Sequence, residues 1–282
     1  MDQQKDWDDV TARVVKLTRK SKVEGFVALY LWGSVASGET DAWSDLDVCL
    51  VHDVAGDDAA DAARDWMFDV LDAFEYKVDP TAVPLAALGR AADWKYASYA
   101  WGLTYGARRL LGADIRARIA PPKEANLRLC ALNLAFLSLR RVYGLPREKP
   151  FPARPEQPDP RCAFPTPWHG NFAWQNVTAV QHMLRAIQYF ESGVLCLAKP
   201  ELLARLRALG EEEMASAGEA AMRVRRTLPR VAPLAKVPPA LAHLIEAVPA
   251  VHARLRKSMA RLGLRDPSYT PRRGGRRQRS ET

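Results

Sequence analysis

The 282-residue sequence has no apolar run long enough to cross a bilayer, which takes roughly 20 residues. Its opening stretch, Met1-Asp2-Gln3-Gln4-Lys5-Asp6, lacks the apolar segment of a signal peptide. The four cysteines, Cys49, Cys130, Cys162 and Cys196, never form a Cys-x-x-Cys pair, which argues against zinc and for reduced thiols. Together these absences predict a cytoplasmic protein with no membrane partner. His52, His169, His182, His243 and His252 show no metal-ligand spacing, and no Ser/His/Asp order is recognisable. A Gly-rich Walker loop and a dinucleotide-binding fingerprint are also missing, which excludes the chemistries built on them.

What is present is concentrated between residues 26 and 51. The β-forming run Phe26 to Trp32 ends at Gly33-Ser34, where a strand would give way to a short helix. Asp45 and Asp47 follow, separated by Leu46 and succeeded by Val48-Cys49-Leu50-Val51. Side chains alternate faces on a strand, so Asp45 and Asp47 project together while Leu46 and Val48 enter the core. Paired carboxylates facing a turn with free backbone N–H groups suit Mg²⁺ and a polyphosphate. Either half alone is better explained as surface acids or an ordinary turn. The two together, with apolar residues flanking the acids, favour a site.

This Gly-Ser turn and the Ser-Asp-Leu-Asp string resemble the nucleotidyltransferase superfamily that includes DNA polymerase β and the antibiotic nucleotidyltransferases, over about the first third of the chain. The resemblance implies an active site of Gly33, Ser34, Asp45, Asp47 and a third acid on a later strand. Glu75 and Asp79 are the candidates, and Asp79 fits better because Val78-Asp79 is followed by Val83-Pro84. It further implies two Mg²⁺ ions held by Asp45, Asp47 and Asp79, an NTP as donor with ATP the family default, and an acceptor hydroxyl on a small molecule. A basic residue should meet the β- and γ-phosphates. Lys95, between Trp94 and Tyr96, and Arg108 lie in the segment leading out of this domain and are expected to do so. Protein or RNA acceptors are the alternative, as is an antitoxin-like module that binds NTP without turnover. Intact paired carboxylates favour the enzyme.

Around the motif, residues 7–22 show helical spacing, as do Ala63, Trp66, Met67, Val70, Leu71 and Phe74. A strand is expected over Tyr76–Asp79, with Pro80 marking a sheet edge or strand end, and a helix after Pro84. Beyond Pro121-Pro122 the stripes Leu132, Phe136, Leu139, Tyr143 and Val177, Val180, Leu184, Ile187 are helical, and a third runs from Pro239 to Leu262. Pro249 should break or kink that third helix. The expected fold is therefore α+β: a small mixed-sheet nucleotidyltransferase domain over 1–120, then an α-helical bundle over 121–266. The aromatics of residues 94–105 are expected to pack between the two.

The bundle is interrupted by a proline-rich loop at 144–170 holding eight prolines. His169, at its end, is a weak candidate for the cleft. Arg161 and His169 cannot share a helix across these prolines, which speaks against a helical ribonuclease. The segment 267–282 carries five arginines against one glutamate, and reads as a disordered basic tail. Nucleic acid could be gripped there through phosphates, although a solubilising role is favoured. The rest keeps about half of the chain's net charge of +8, and its helical half is basic, with Arg205, Arg207, Arg223, Arg225, Arg226, Arg254, Arg256 and Lys257. That charge sits poorly with a polycationic antibiotic as acceptor.

Overall fold

A computed structural model describes residues 3–53, 57–74, 77–89, 94–145, 172–196, 198–228 and 237–267. Glu75, Arg161, His169, most of the proline-rich loop and the arginine-rich tail lie outside these residues. A four-stranded sheet is built from β1 (Phe26–Trp32), β2 (Leu46–His52), β3 (Val78–Pro84) and β4 (Arg108–Gly112), in the order β3-β2-β1-β4. β1 runs antiparallel to β2 and β4, while β2 and β3 are parallel, so the sheet is mixed.

Both faces of the two central strands are buried, and each face has its own helices. Leu29, Leu31, Leu46, Val48 and Leu50 pack with Val14 of α1 (Gln3–Ser21) and Trp66, Val70 and Phe74 of α3 (Asp57–Phe74). On the other side, Tyr30, Cys49 and Val51 meet Leu85 and Leu88 of α4 (Leu85–Gly89) and Ala100 and Leu103 of α5 (Trp94–Tyr105). Between β1 and β2 lies the five-residue α2 (Gly33–Ser37). The strand expected to end at Asp79 instead runs on to Pro84, paired with β2 throughout. Pro80 is tolerated because β3 is an edge strand, as its residue type suggested, and its missing N–H costs no ladder bond there.

The helical half comprises α6 (Glu124–Val142), α7 (Phe172–Ser192), α8 (Lys199–Ala208), α9 (Glu212–Thr227) and α10 (Pro239–Arg261). Its centre is α7, apolar around most of its circumference, with Val177, Val180, Met183, Leu184 and Ile187 inaccessible to solvent. α6, α8, α9 and α10 all pack on it. α10 runs through Pro249 without ending there. A proline forfeits one helical hydrogen bond at a cost of about 3 kcal/mol. Burial of Leu244, Val248, Val251 and Leu255 on the same helix outweighs it. Trp43 and Ala97 belong to the core of this half although they come from the sheet half, so apolar packing is continuous across the junction.

Candidate functional site

The strand register assembles the first part of the site. Asp47 lies opposite Trp32 on β1 and opposite Asp79 on β3, so the two carboxylates occupy adjacent positions on one face of the sheet. Asp45 lies two residues before Asp47, just outside the strand. Their neighbours Leu46 and Val78 are buried on the opposite face, which forces the acids outward. Asp45 and Asp47 are half-buried, and Asp79 is exposed.

Gly33 faces Asp47 directly. It adopts φ +70°, in the left-handed region, and a Cβ placed there would lie 2.0 Å from Asp47 Oδ2. Both conditions demand glycine. The backbone then enters α2, with Ser34 on its first turn, and Gly38 closes that turn with φ 75°. The other wall is aromatic. Tyr99 of α5 stacks against Trp32 at 5.1 Å between ring centroids, and Gly102 leaves room for the Trp32 ring. Burial pushes the Tyr99 phenol up to about 12, opposed by its hydrogen bond with Thr81 and reinforced by the nearby Asp79 charge. It is therefore a neutral wall of the site at physiological pH.

The three acids offer only carboxylate oxygens, the donor set of a hard divalent cation. Among the described residues no three His, Cys, Asp or Glu side chains lie close enough together to hold an ion by themselves. Mg²⁺ is usually held by one or two carboxylates completed by water and substrate phosphates, so an open arrangement of this kind fits it.

The second part of the site comes from the helical half. The loop from Gly38 to Asp45 is docked against α7, α8 and α9. Arg225 of α9 donates two hydrogen bonds to Asp41, Nε to Oδ2 and Nη2 to Oδ1, each 2.7 Å. Lys199 Nζ stands 3.8 Å from Asp41 Oδ2, and the Lys199 backbone N–H donates to Glu39 Oε2 at 3.2 Å. Trp43 donates its indole N–H to the Leu228 carbonyl, and the Arg225 guanidinium lies 5.6 Å from the Trp43 ring centroid. α8 has no side-chain cap of its own, so Glu39 supplies an acceptor at its N-terminus from across the junction. Arg185 of α7 joins the group. Desolvation lowers its pKa, the Arg225 charge acts in the same sense, and Glu39 and Asp47 oppose both. Burial also lowers the Lys199 pKa, helped by Arg225 and opposed by Asp41. Lys199 and Arg225 therefore meet the loop that joins the Gly-Ser turn to the carboxylate strand, and Arg185 is near enough to feel the charges of Glu39 and Asp47.

Of the two basic candidates, only the side chain of Arg108 is placed. Arg108 is exposed on β4 opposite Leu31, hence on the α1/α3 face and across the sheet from Asp47. Lys95 is the second residue of α5, with its side chain outside the described residues. The sequence did not single out Arg185 or Lys199 from the other basic residues. The one signal was a run of acids, Glu39 and Asp41, between the turn and the strand, matched by no base nearby in the chain.

No protein-family model matches the chain, and no curated protein matches it in sequence. Among solved structures it is similar to spectinomycin adenyltransferase AAD(9) from Enterococcus faecialis with ATP and spectinomycin. The TM-score is 0.59 at 10% identity, over 88% of this chain and 98% of that one. A toxin-antitoxin structure with AMP-PNP matches 46% of the chain and 90% of its own at 16% identity, with a TM-score of 0.28. The first likeness shows the fold alone: an α+β domain with a mixed sheet, followed by a helical region.

Proposed function

We propose that the protein transfers a nucleoside monophosphate from an NTP, with ATP the default donor, to a hydroxyl group of a small molecule, releasing pyrophosphate. The observation that carries this is the placement of Asp47 between Asp79 and Gly33. One carboxylate is matched in register by another, and faces a position where only glycine fits. The fold's likeness to an adenyltransferase supports the same chemistry.

Asp45, Asp47 and Asp79 would hold Mg²⁺, two ions in all, whose Lewis acidity would offset charge on the phosphates and activate the acceptor hydroxyl. The chain's own groups account for the rest. Nucleotidyl transfer depends mainly on positioning and charge compensation. Backbone N–H groups at Gly33-Ser34 bind phosphate oxygens at the start of α2. Lys199, whose ammonium stands beside Asp41 in the loop leading to the carboxylate strand, would neutralise the β- and γ-phosphates together with Lys95, while Arg108 lies across the sheet from Asp47. Asp79, itself exposed on an edge strand, would leave a side from which an acceptor can arrive. Spectinomycin, the small molecule in the AAD(9) structure, belongs in the acceptor panel together with neutral polyhydroxy compounds.

The test is pyrophosphate release with Mg²⁺ and each NTP, with and without members of that panel. Asp47→Asn keeps the side-chain shape and removes its charge, so release should fall by at least ~1000-fold. Thermal stability without nucleotide should stay level or rise as carboxylate repulsion is relieved. Turnover retained in both Asp45→Asn and Asp47→Asn would overturn the proposal.

A further inference from the structure

Asp41 belongs to no catalytic group, yet it is bonded on both carboxylate oxygens and its backbone N–H. Its backbone N–H donates to Ser44 Oγ at 2.8 Å, and Oδ1 accepts the Trp43 N–H at 2.9 Å, so the loop itself fixes the carboxylate. Arg225 then engages both oxygens. The Arg225 side chain is 9% exposed, and those of Asp41 and Lys199 16% and 14%. These charges are largely removed from water, where an unpaired one would be expensive.

The two cations on Asp41 are bound unequally. Arg225 holds it through a planar two-point grip, the geometry in which guanidinium and carboxylate match. Lys199 touches the same carboxylate at 3.8 Å, beyond hydrogen-bond distance. An anion with better-placed oxygens would therefore draw Lys199 away without disturbing Arg225. The arrangement also limits the repulsion between Asp41 and an incoming triphosphate, because Arg225 neutralises the carboxylate before nucleotide arrives.

We propose that Asp41 is a positioning residue: it holds the Lys199 ammonium beside the loop that leads to the carboxylate strand while the site is empty, and hands Lys199 to the triphosphate, with Arg225 screening Asp41 so that the exchange favours the nucleotide. This rests on the nucleotidyl transfer proposed above, and it assigns regulation of nucleotide affinity to a residue outside the catalytic acids. Removing the screen should make Asp41 compete with the nucleotide for Lys199. Removing screen and competitor together should end the competition.

The measurement is the Kd for the Mg²⁺ complex of a non-hydrolysable ATP analogue by calorimetry, alongside KM and kcat from pyrophosphate release. Arg225→Gln should raise both Kd and KM at least 10-fold while kcat changes less than 3-fold. The double variant Asp41→Asn/Arg225→Gln should return both to within 3-fold of wild type. A purely structural latch gives the opposite order, with the double variant no better than the single one, and that result would overturn the handover. If Arg225→Gln does not fold, Arg225→Met replaces it, removing the charge while keeping an apolar stem of similar length, with the same expected recovery when Asp41→Asn is added. Wild-type protein that binds no NTP overturns the nucleotidyl-transfer proposal itself. Wild-type turnover that is lost in Asp47→Asn, with a normal KM in Arg225→Gln, overturns only the role given to Asp41.

Discussion

Gly33 shows how much a single residue can require. Its left-handed φ costs any other residue about 1 kcal/mol, and a Cβ would overlap the Asp47 carboxylate. Gly33→Ala should therefore lower stability by ~1–3 kcal/mol in urea unfolding. It should reduce pyrophosphate release far more, about 100-fold or greater, because Asp47 must swing out of line with Asp79. Equal losses of stability and activity across several alanine variants of the sheet would show that Gly33 is structural only. Gly33, Ser34, Asp45 and Asp47 were legible in the sequence because a strand, a turn and period-two alternation are local patterns. Asp79 needed the family resemblance, since nothing near it in the chain marks its neighbour on β2. Arg225 and Asp41 are 184 residues apart, and no local pattern connects them. Nor did Arg185 and Lys199 stand out from the other basic residues of the helical half.

At the scale of elements, burial decided what local propensity could not. The amphipathic α1 and α3 were legible because each shows one apolar face at helical spacing. β4 was not: Arg-Arg-Leu-Leu-Gly lacks clean alternation, and its strand character comes from pairing with β1, a non-local partner. Pro249 was expected to end or bend α10, and the helix does not end there. The residue itself is exposed, so its cost is confined to the backbone. Pro249→Ala restores an N–H at that turn without changing packing, and should raise stability by about 1–3 kcal/mol in chemical denaturation. No gain would indicate that the helix already absorbs the proline locally. α7 was legible only in part, through Val177, Val180, Leu184 and Ile187, because a helix buried on nearly all sides has no polar face to set its period.

For the whole molecule, net charge was a poor guide to the cleft. Much of the basic character of the helical half is neutralised in place. Arg205 pairs with Glu201, Arg207 with Glu219, Arg256 with Asp266, and Arg254 with Glu191 and Glu211. Arg225 and Lys199 at the junction are largely buried, so the formal surplus says little about the charge beside the loop they hold. The same buried charges set the response to acid. Burial holds His182 down at about 3, aided by Arg185 and Arg141, and His252 down at about 4, aided by Arg256. A histidine ordinarily titrates near 6.5, so unfolding at lower pH takes up protons the folded state refuses. Stability from these two groups is complete above about pH 6.5 and is lost as pH falls, toward 4 for His252 and toward 3 for His182, each adding up to ~1.4 kcal/mol per pH unit to the slope. Glu191 acts lower. Burial raises its pKa, but hydrogen bonds from Arg261, Ser258 and Arg254 overcome that and bring it down to about 2. Its stabilisation is complete above the ordinary glutamate value near 4.3 and disappears as pH falls toward 2. Urea unfolding across a pH series should thus show two successive losses, the first from the histidines. Glu191→Gln should remove the second while leaving the first, at the expense of some stability at pH 7 where Arg254 and Arg261 lose a counter-charge. An unchanged acid limb in Glu191→Gln would mean that another carboxylate controls it, with Asp41 at the domain junction the next to be tested, since Arg225 holds its pKa below the ordinary range against the opposing effect of burial.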